Sequence, residues 1–327
     1  SYSEVIHRGK QTCRMNNPIR LWRRPLPVHK PAPLQPGARI GVVAPAGSVA
    51  PASLLAGVAA IEAQGFAVEL APGIYQNNGY LAGAGADRAR DLATFFRRDE
   101  IAAIFCARGG FGSIQTLEHL SLDIEKHPKL FVGYSDITIL LNWLRSRCGM
   151  VTIHGPMVAT DLARGLSDRS QEHFWSMLSG RKRAWKLALG ETIRRGQVEA
   201  EMTGGCLSML VTTLGTAYEI DSRGKILFLE DIGEAPYRVE RMLLHLKMAG
   251  KLDHLAGVVF GDFTDCTGDG ARDVRAVIGD LFAQAPYPVV MGLSAGHGIE
   301  NFAMPFGVAM RLDGDGATLA MLESPVL

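Results

Sequence analysis

The chain has 327 residues, 47 % of them hydrophobic, with 34 lysines and arginines against 33 aspartates and glutamates for a net charge of +1. A chain of this length exceeds what one hydrophobic core usually fills, so two domains are expected, and a composition this ordinary excludes extended disorder. Well-mixed charges leave no field to attract nucleic acid or an anionic membrane surface, which points to a small substrate.

The first 30 residues carry Arg14, Arg20, Arg23 and Arg24 among prolines without periodicity, and residues 1–35 are read as an irregular extension lacking the apolar core of a signal peptide. Arg39-Ile-Gly-Val-Val-Ala44, closed by Pro45-Ala-Gly47, reads as a buried strand and its turn. A helix near 51–64, a strand near Phe66–Leu70, a helix near Ala86–Arg97 and a strand at Ile101–Cys106 follow. Then come a helix near 113–120, a strand at Leu130–Tyr134 and a helix from Asp136 to about Arg147. Apolar strands alternating with helices predict a Rossmann-like, mainly parallel sheet with helices on both faces, over residues 36–160. Residues 161–200, rich in Arg, Ser and Gly around a short helical stretch Ser170–Leu178, read as a linker region. Residues 201–327 predict a smaller α/β C-terminal domain, with strands at Lys225–Leu229 and Ala256–Phe260, a helix at Tyr237–Met248 ended by Gly250, and a terminal β-hairpin of Gly307–Leu312 and Ala317–Leu322.

Four clusters put small or polar residues where predicted strands end, the edge at which open parallel sheets place ligands. In Ala107-Arg-Gly-Gly-Phe-Gly-Ser113 the glycines let backbone N–H groups approach a developing anion, although a tight turn would explain them equally well. A dinucleotide-binding GxGxxG would need glycine at 115, where Gln115 stands. In Gly133-Tyr-Ser-Asp136 a strand-to-helix turn would raise the Ser135 hydroxyl above the sheet and make the Asp136 N–H an oxyanion donor. Helix capping by Ser135 or Asp136 is the plainer reading of that stretch alone, since Ile137 replaces the last glycine of GxSxG. In Phe228-Leu-Glu-Asp-Ile-Gly-Glu234 the carboxylate nearest the strand, Glu230, is placed to orient a histidine, whereas Glu234 suits a helix N-terminus. In Val289-Val-Met-Gly-Leu-Ser-Ala-Gly-His-Gly298, flanking glycines leave His297 accessible as a general base; His154 is its only serious competitor.

These segments coincide with a known pattern. Gly41-Val-Val-Ala-Pro-Ala46, Ala107-Arg-Gly-Gly-Phe-Gly112, Lys129-Leu-Phe-Val-Gly-Tyr-Ser-Asp-Ile-Thr138, His154-Gly-Pro-Met157, Gly204-Gly205, Phe228-Leu-Glu-Asp-Ile-Gly-Glu234 with Pro236-Tyr-Arg238, and Gly296-His297 resemble the LD-carboxypeptidase family of serine peptidases from about Gly41 to Met310. The resemblance implies Ser135 as nucleophile, Glu230 as acid and His297 as base, with the serine on one domain and the other two on the next. It implies a reaction as well: removal of the terminal D-alanine from murein tetrapeptides in cell-wall recycling, with no metal and no organic cofactor. The N–H groups of Gly109 and Asp136 would hold the oxyanion, and Arg108 is a candidate for the substrate carboxylate by its proximity to the glycine turn.

Three rivals stand beside this reading. A same-family peptidase hydrolysing peptidyl-nucleotide antibiotics, and so giving self-immunity, would need an aromatic platform, for which Phe174, Trp175 and Trp185 are available. A silent binding protein would keep the glycine turn and the cleft; a cysteine hydrolase would use Cys106. The five cysteines, Cys13, Cys106, Cys148, Cys206 and Cys266, fit neither a disulfide framework nor a zinc site and suit the cytoplasm. A homodimer is the expected assembly, from base rates alone.

Overall fold

The computed structural model describes residues 26–268, 270 and 272–327. The part of the predicted N-terminal extension up to Pro25 lies outside the described residues. From Leu26 onward that segment runs along the first domain, where His29 makes a parallel bridge to Met150 and Leu34 is buried.

The first sheet contains β1 (Arg39–Val43), β2 (Ala67–Leu70), β3 (Ile101–Cys106), β4 (Leu130–Gly133) and β5 (Thr152–His154), all parallel in the order β5-β4-β3-β1-β2. Its central strands read as unbroken apolar runs because α1 (Pro51–Glu62), α2 (Gly85–Arg97), α3 (Ser113–Leu117) and α4 (Thr138–Cys148) cover its faces. The predicted alternation holds. β5 is absent from the sequence reading, because three residues ahead of Gly155-Pro156 carry no period. The helix expected from Asp136 starts with one 3₁₀ turn, Ser135–Ile137, before α4. α4 is buried along most of its length, since the second domain covers the side that would otherwise face water.

Residues 161–200 are more than the linker the composition suggested. They hold α5 (Asp168–Leu178), β6 (Trp185–Ala188), β7 (Thr192–Arg194) and the start of β8 (Gln197–Cys206). Ser167 caps α5 by accepting the Ser170 N–H, and Phe174 of α5 packs on Phe105 of β3, 5.7 Å between ring centroids. In β6, buried Trp185 and Leu187 alternate with exposed Lys186 and Ala188, a two-residue period hidden by the surrounding arginines.

The second sheet also takes in β9 (Ile226–Ile232), β10 (Gly257–Thr264), β11 (Val289–Met291) and, beyond β12 (Met304–Phe306), β13 (Ala309–Asp313) and β14 (Thr318–Met321). Its order is β6-β14-β13-β8-β9-β10-β11-β7, with β8 to β11 parallel and β13–β14 forming the predicted hairpin. α6 (Leu207–Thr212), α7 (Pro236–Met248) and α8 (Val274–Phe282) bury a second apolar cluster against β9 and β10. β12, although it lies within 201–327, pairs antiparallel with β5 in the first sheet, Met304 opposite His154. The chain therefore returns to the first domain before finishing the second, and one buried cluster runs from Leu34 to Val326 through both. Among the described residues, no helix is long and apolar enough to cross a membrane.

Candidate active site

β4 ends at Gly133, Tyr134 stays extended, and Ser135 turns to φ +63°, a left-handed conformation that side-chain-bearing residues seldom adopt. Strain of this kind persists only where surrounding structure enforces it. Asp136 supplies that enforcement, its carboxylate accepting the Ser113 N–H at 2.8 Å and its carbonyl accepting the Ser113 hydroxyl at 2.6 Å. Gly109 lies directly over the turn: a Cβ there would stand 2.8 Å from Ser135 Cβ and 2.9 Å from its Oγ, so glycine is required for the approach. Among the described residues the Gly109 N–H has no acceptor, while its carbonyl accepts the Gly47 N–H at 3.0 Å. Arg108 is exposed on the same loop and donates to the Ser48 carbonyl at 3.2 Å.

The acid and the imidazole come from the second domain. Alternation along β9 turns neighbouring Glu230 and Asp231 to opposite faces. Asp231 accepts the Ser208 N–H at 2.8 Å, whereas Glu230 Oε2 lies 2.6 Å from His297 Nδ1. Glu234, the third carboxylate, sits 3.7 Å from Arg238 at the start of α7, as its helix-terminus reading anticipated. Tyr134 links the halves: its ring meets His297 edge-on at 4.9 Å between centroids, and its hydroxyl donates to Asp161 at 3.4 Å. The structure thus joins Glu230 to His297 and sets His297 against the residue preceding Ser135. It does not join His297 to Ser135, whose Oγ makes no hydrogen bond among the described residues.

Electrostatics follow from burial and pairing. Burial alone would push the Glu230 carboxyl up, but the His154 and His297 imidazoles outweigh it and hold the group below its ordinary value. For His297 burial favours the neutral ring, yet the Glu230 hydrogen bond and charge, helped by Asp231 and Asp161, hold its pKa above 6.5. Asp262 on β10 is pushed up to about 6, by burial first and the Glu230 charge second. Asp262 and the Tyr134–Asp161 pair were missed in the sequence; only the strand-end position of Gly261-Asp262 hinted at either. No cluster of metal-ligating residues occurs among the described residues. Phe174, Trp175 and Trp185 are buried in the core, which removes them as a nucleotide platform. Cys106 is buried too, and burial drives its thiol far from ionisation, against a thiolate nucleophile.

A two-domain α/β fold with a serine in left-handed backbone on one domain and a histidine–carboxylate pair on the other describes a hydrolase-like architecture, and its sequence places it further. Residues 40–155 match the LD-carboxypeptidase N-terminal domain and residues 199–312 the LD-carboxypeptidase C-terminal domain, and the chain belongs to this family. It is 37 % identical to the probable murein peptide carboxypeptidase of Bacillus subtilis, over 91 % of this chain and 95 % of that one. It is 33 % identical to the murein tetrapeptide carboxypeptidase of Pseudomonas aeruginosa, over 85 % and 94 %. Among solved structures, muramoyltetrapeptide carboxypeptidase from Oxalobacter formigenes superposes with a TM-score of 0.78 at 28 % identity, covering 86 % of this chain and 97 % of that one. The microcin C7 self-immunity protein MccF shares the fold, with a TM-score of 0.84 at 23 % identity over 91 % of this chain and 100 % of the other.

Proposed function

We propose that this chain is a serine LD-carboxypeptidase that removes the terminal D-alanine from murein tetrapeptides in cell-wall recycling. The observation that carries the reading is the 2.6 Å Glu230–His297 pair set against Tyr134, the residue preceding a serine held at φ +63° under Gly109. With Nδ1 engaged by Glu230, His297 has Nε2 left to take the Ser135 proton as Oγ attacks the carbonyl carbon. The carboxylate stabilises the imidazolium that forms. The Gly109 and Asp136 N–H groups receive the oxyanion, and His297 then protonates the leaving D-alanine amine. Water repeats the sequence on the acyl-enzyme and frees the tripeptide. Arg108, exposed at the rim, is the proposed partner of the D-alanine carboxylate.

The reading includes a cytoplasmic homodimer, to be checked by fractionation and by light scattering of the purified chain. The chemistry is tested by incubating a murein tetrapeptide with wild type and Ser135→Ala and following released D-alanine, with fluorophosphonate labelling in parallel. Wild type should turn over and label at Ser135, and the variant should do neither. Undiminished turnover by Ser135→Ala, or cleavage of a peptidyl-adenylate in place of the tetrapeptide, would sink this assignment.

A further inference from the structure

Glu230 is approached from two sides. On one, His297 Nδ1 stands 2.6 Å from Oε2; on the other, His154 Nε2 stands 3.7 Å from Oε1. His154 and Glu230 are fully buried, and among the described residues neither ring nitrogen of His154 nor Glu230 Oε1 has a hydrogen-bond partner. Such groups are costly to leave unpaired in a protein interior, above all when one is charged. Around the His154 ring stand Tyr134, Phe228 and Phe306, with centroids 5.6, 4.9 and 6.2 Å away. Glu230 is the carboxylate this ring faces, and a movement of less than about 1 Å brings the pair to hydrogen-bond length. His154 lies on β5 of the first domain and Glu230 on β9 of the second, so the contact crosses the same junction as the site.

We propose that His154 is a positioning residue for the hydrolytic reaction: its Nε2–H binds Glu230 Oε1, turns Oε2 toward His297, and shares the carboxylate charge between two imidazoles. Without that share, the full charge falls on His297, which then holds its proton to higher pH and is a poorer base at neutrality. The other titratable groups around the pair are Tyr134 beyond β4, Asp161 after β5, Cys206 ending β8, Asp231 on β9 and Asp262 on β10. None of them is altered by a substitution at residue 154. The inference rests on His297 being the general base, as proposed above.

The test compares His154→Phe, His154→Asn and His154→Gln in the full chain. The glutamine amide reaches the Nε2 position, whereas asparagine reaches only as far as Nδ1. Turnover of a murein tetrapeptide is measured as kcat and KM, and the His297 imidazole is titrated by NMR. In the Phe and Asn variants kcat should fall about ten- to hundredfold with KM within about twofold, as for the loss of a charge-assisted hydrogen bond. The His297 midpoint should move to higher pH, and Gln should restore both rate and midpoint. An unmoved midpoint in the Asn variant, or a Gln variant as impaired as Asn, overturns the proposal; this pair decides even if the Phe variant fails to fold. The titration needs no turnover, so a wild type inactive on tetrapeptide would defeat the proposed reaction while leaving His154 still to be judged.

Discussion

Gly296 is the residue on which the Glu230–His297 pair closes. At φ +117° its backbone passes so near Glu230 that a Cβ would stand 2.5 Å from Oε2 and 2.8 Å from Cγ. Gly296→Ala should push the carboxylate off His297, and a displacement of about 1 Å is enough to lower kcat on the order of 100-fold. Tetrapeptide turnover with an unchanged far-ultraviolet circular dichroism spectrum checks this. As the proposed general base, His297 works deprotonated, and Glu230 holds its pKa above that of an ordinary imidazole, so kcat/KM should rise with pH along a limb displaced upward from that of a free histidine. In stability terms, His297 contributes below its unfolded pKa and loses that contribution as pH rises through its folded one. Glu230, held low, contributes above its unfolded pKa and loses it as pH falls through its folded one. Between those limits the pair stabilises the fold, which urea midpoints of His297→Asn against wild type across pH will show. Asp262 behaves oppositely. Its folded pKa of about 6 makes stability fall as pH rises from the ordinary carboxylate value through 6, so Asp262→Asn should gain about 1 kcal/mol at pH 8 and little at pH 4. Solvent reaches this carboxylate and screens it, which keeps the gain small.

At the scale of elements, α4 decides how the serine meets the second domain. Asn142 donates 2.8 Å hydrogen bonds to the Thr138 and Gly204 carbonyls and accepts from Thr203 Oγ1 at 2.7 Å, tying α4 to β8. One turn on, Arg145 grips Glu201 with two bonds of 2.7 Å. Asn142→Leu would leave buried Gly204 and Thr203 groups unpaired and should destabilise the protein by about 2–4 kcal/mol, read from the urea midpoint. The helices and parallel strands of the first domain were legible because apolar runs and their glycine punctuation are local signals. The strands β6 to β8 were not, since their period-two pattern is short and interrupted by Arg194, Arg195 and Glu199. Pairing with β9, β11, β13 and β14 makes strands of them.

Over the whole molecule, the return of β12 to the first sheet and the core that runs through both domains couple the two. A single unfolding transition is expected, with calorimetric and van't Hoff enthalpies in agreement. Phe306, fully buried on β12 against His154, belongs to that junction. Phe306→Ala should cost about 3–5 kcal/mol and lower the one transition without splitting it. Two separate transitions in either protein would show that the sheets fold independently.

Ser135, Glu230 and His297 could each be singled out from the residues around them, because glycines and carboxylates that interrupt apolar runs at strand ends mark sites of close approach. Their order along the chain and the family resemblance also come from sequence alone. Sequence could not show which face of β9 carries Glu230, that His154 backs it from the other domain, or that Asp262 and Tyr134 stand beside the imidazole. Those contacts join residues 76, 35 and 163 positions apart in the sequence, and such neighbours exist only once the two domains have packed together.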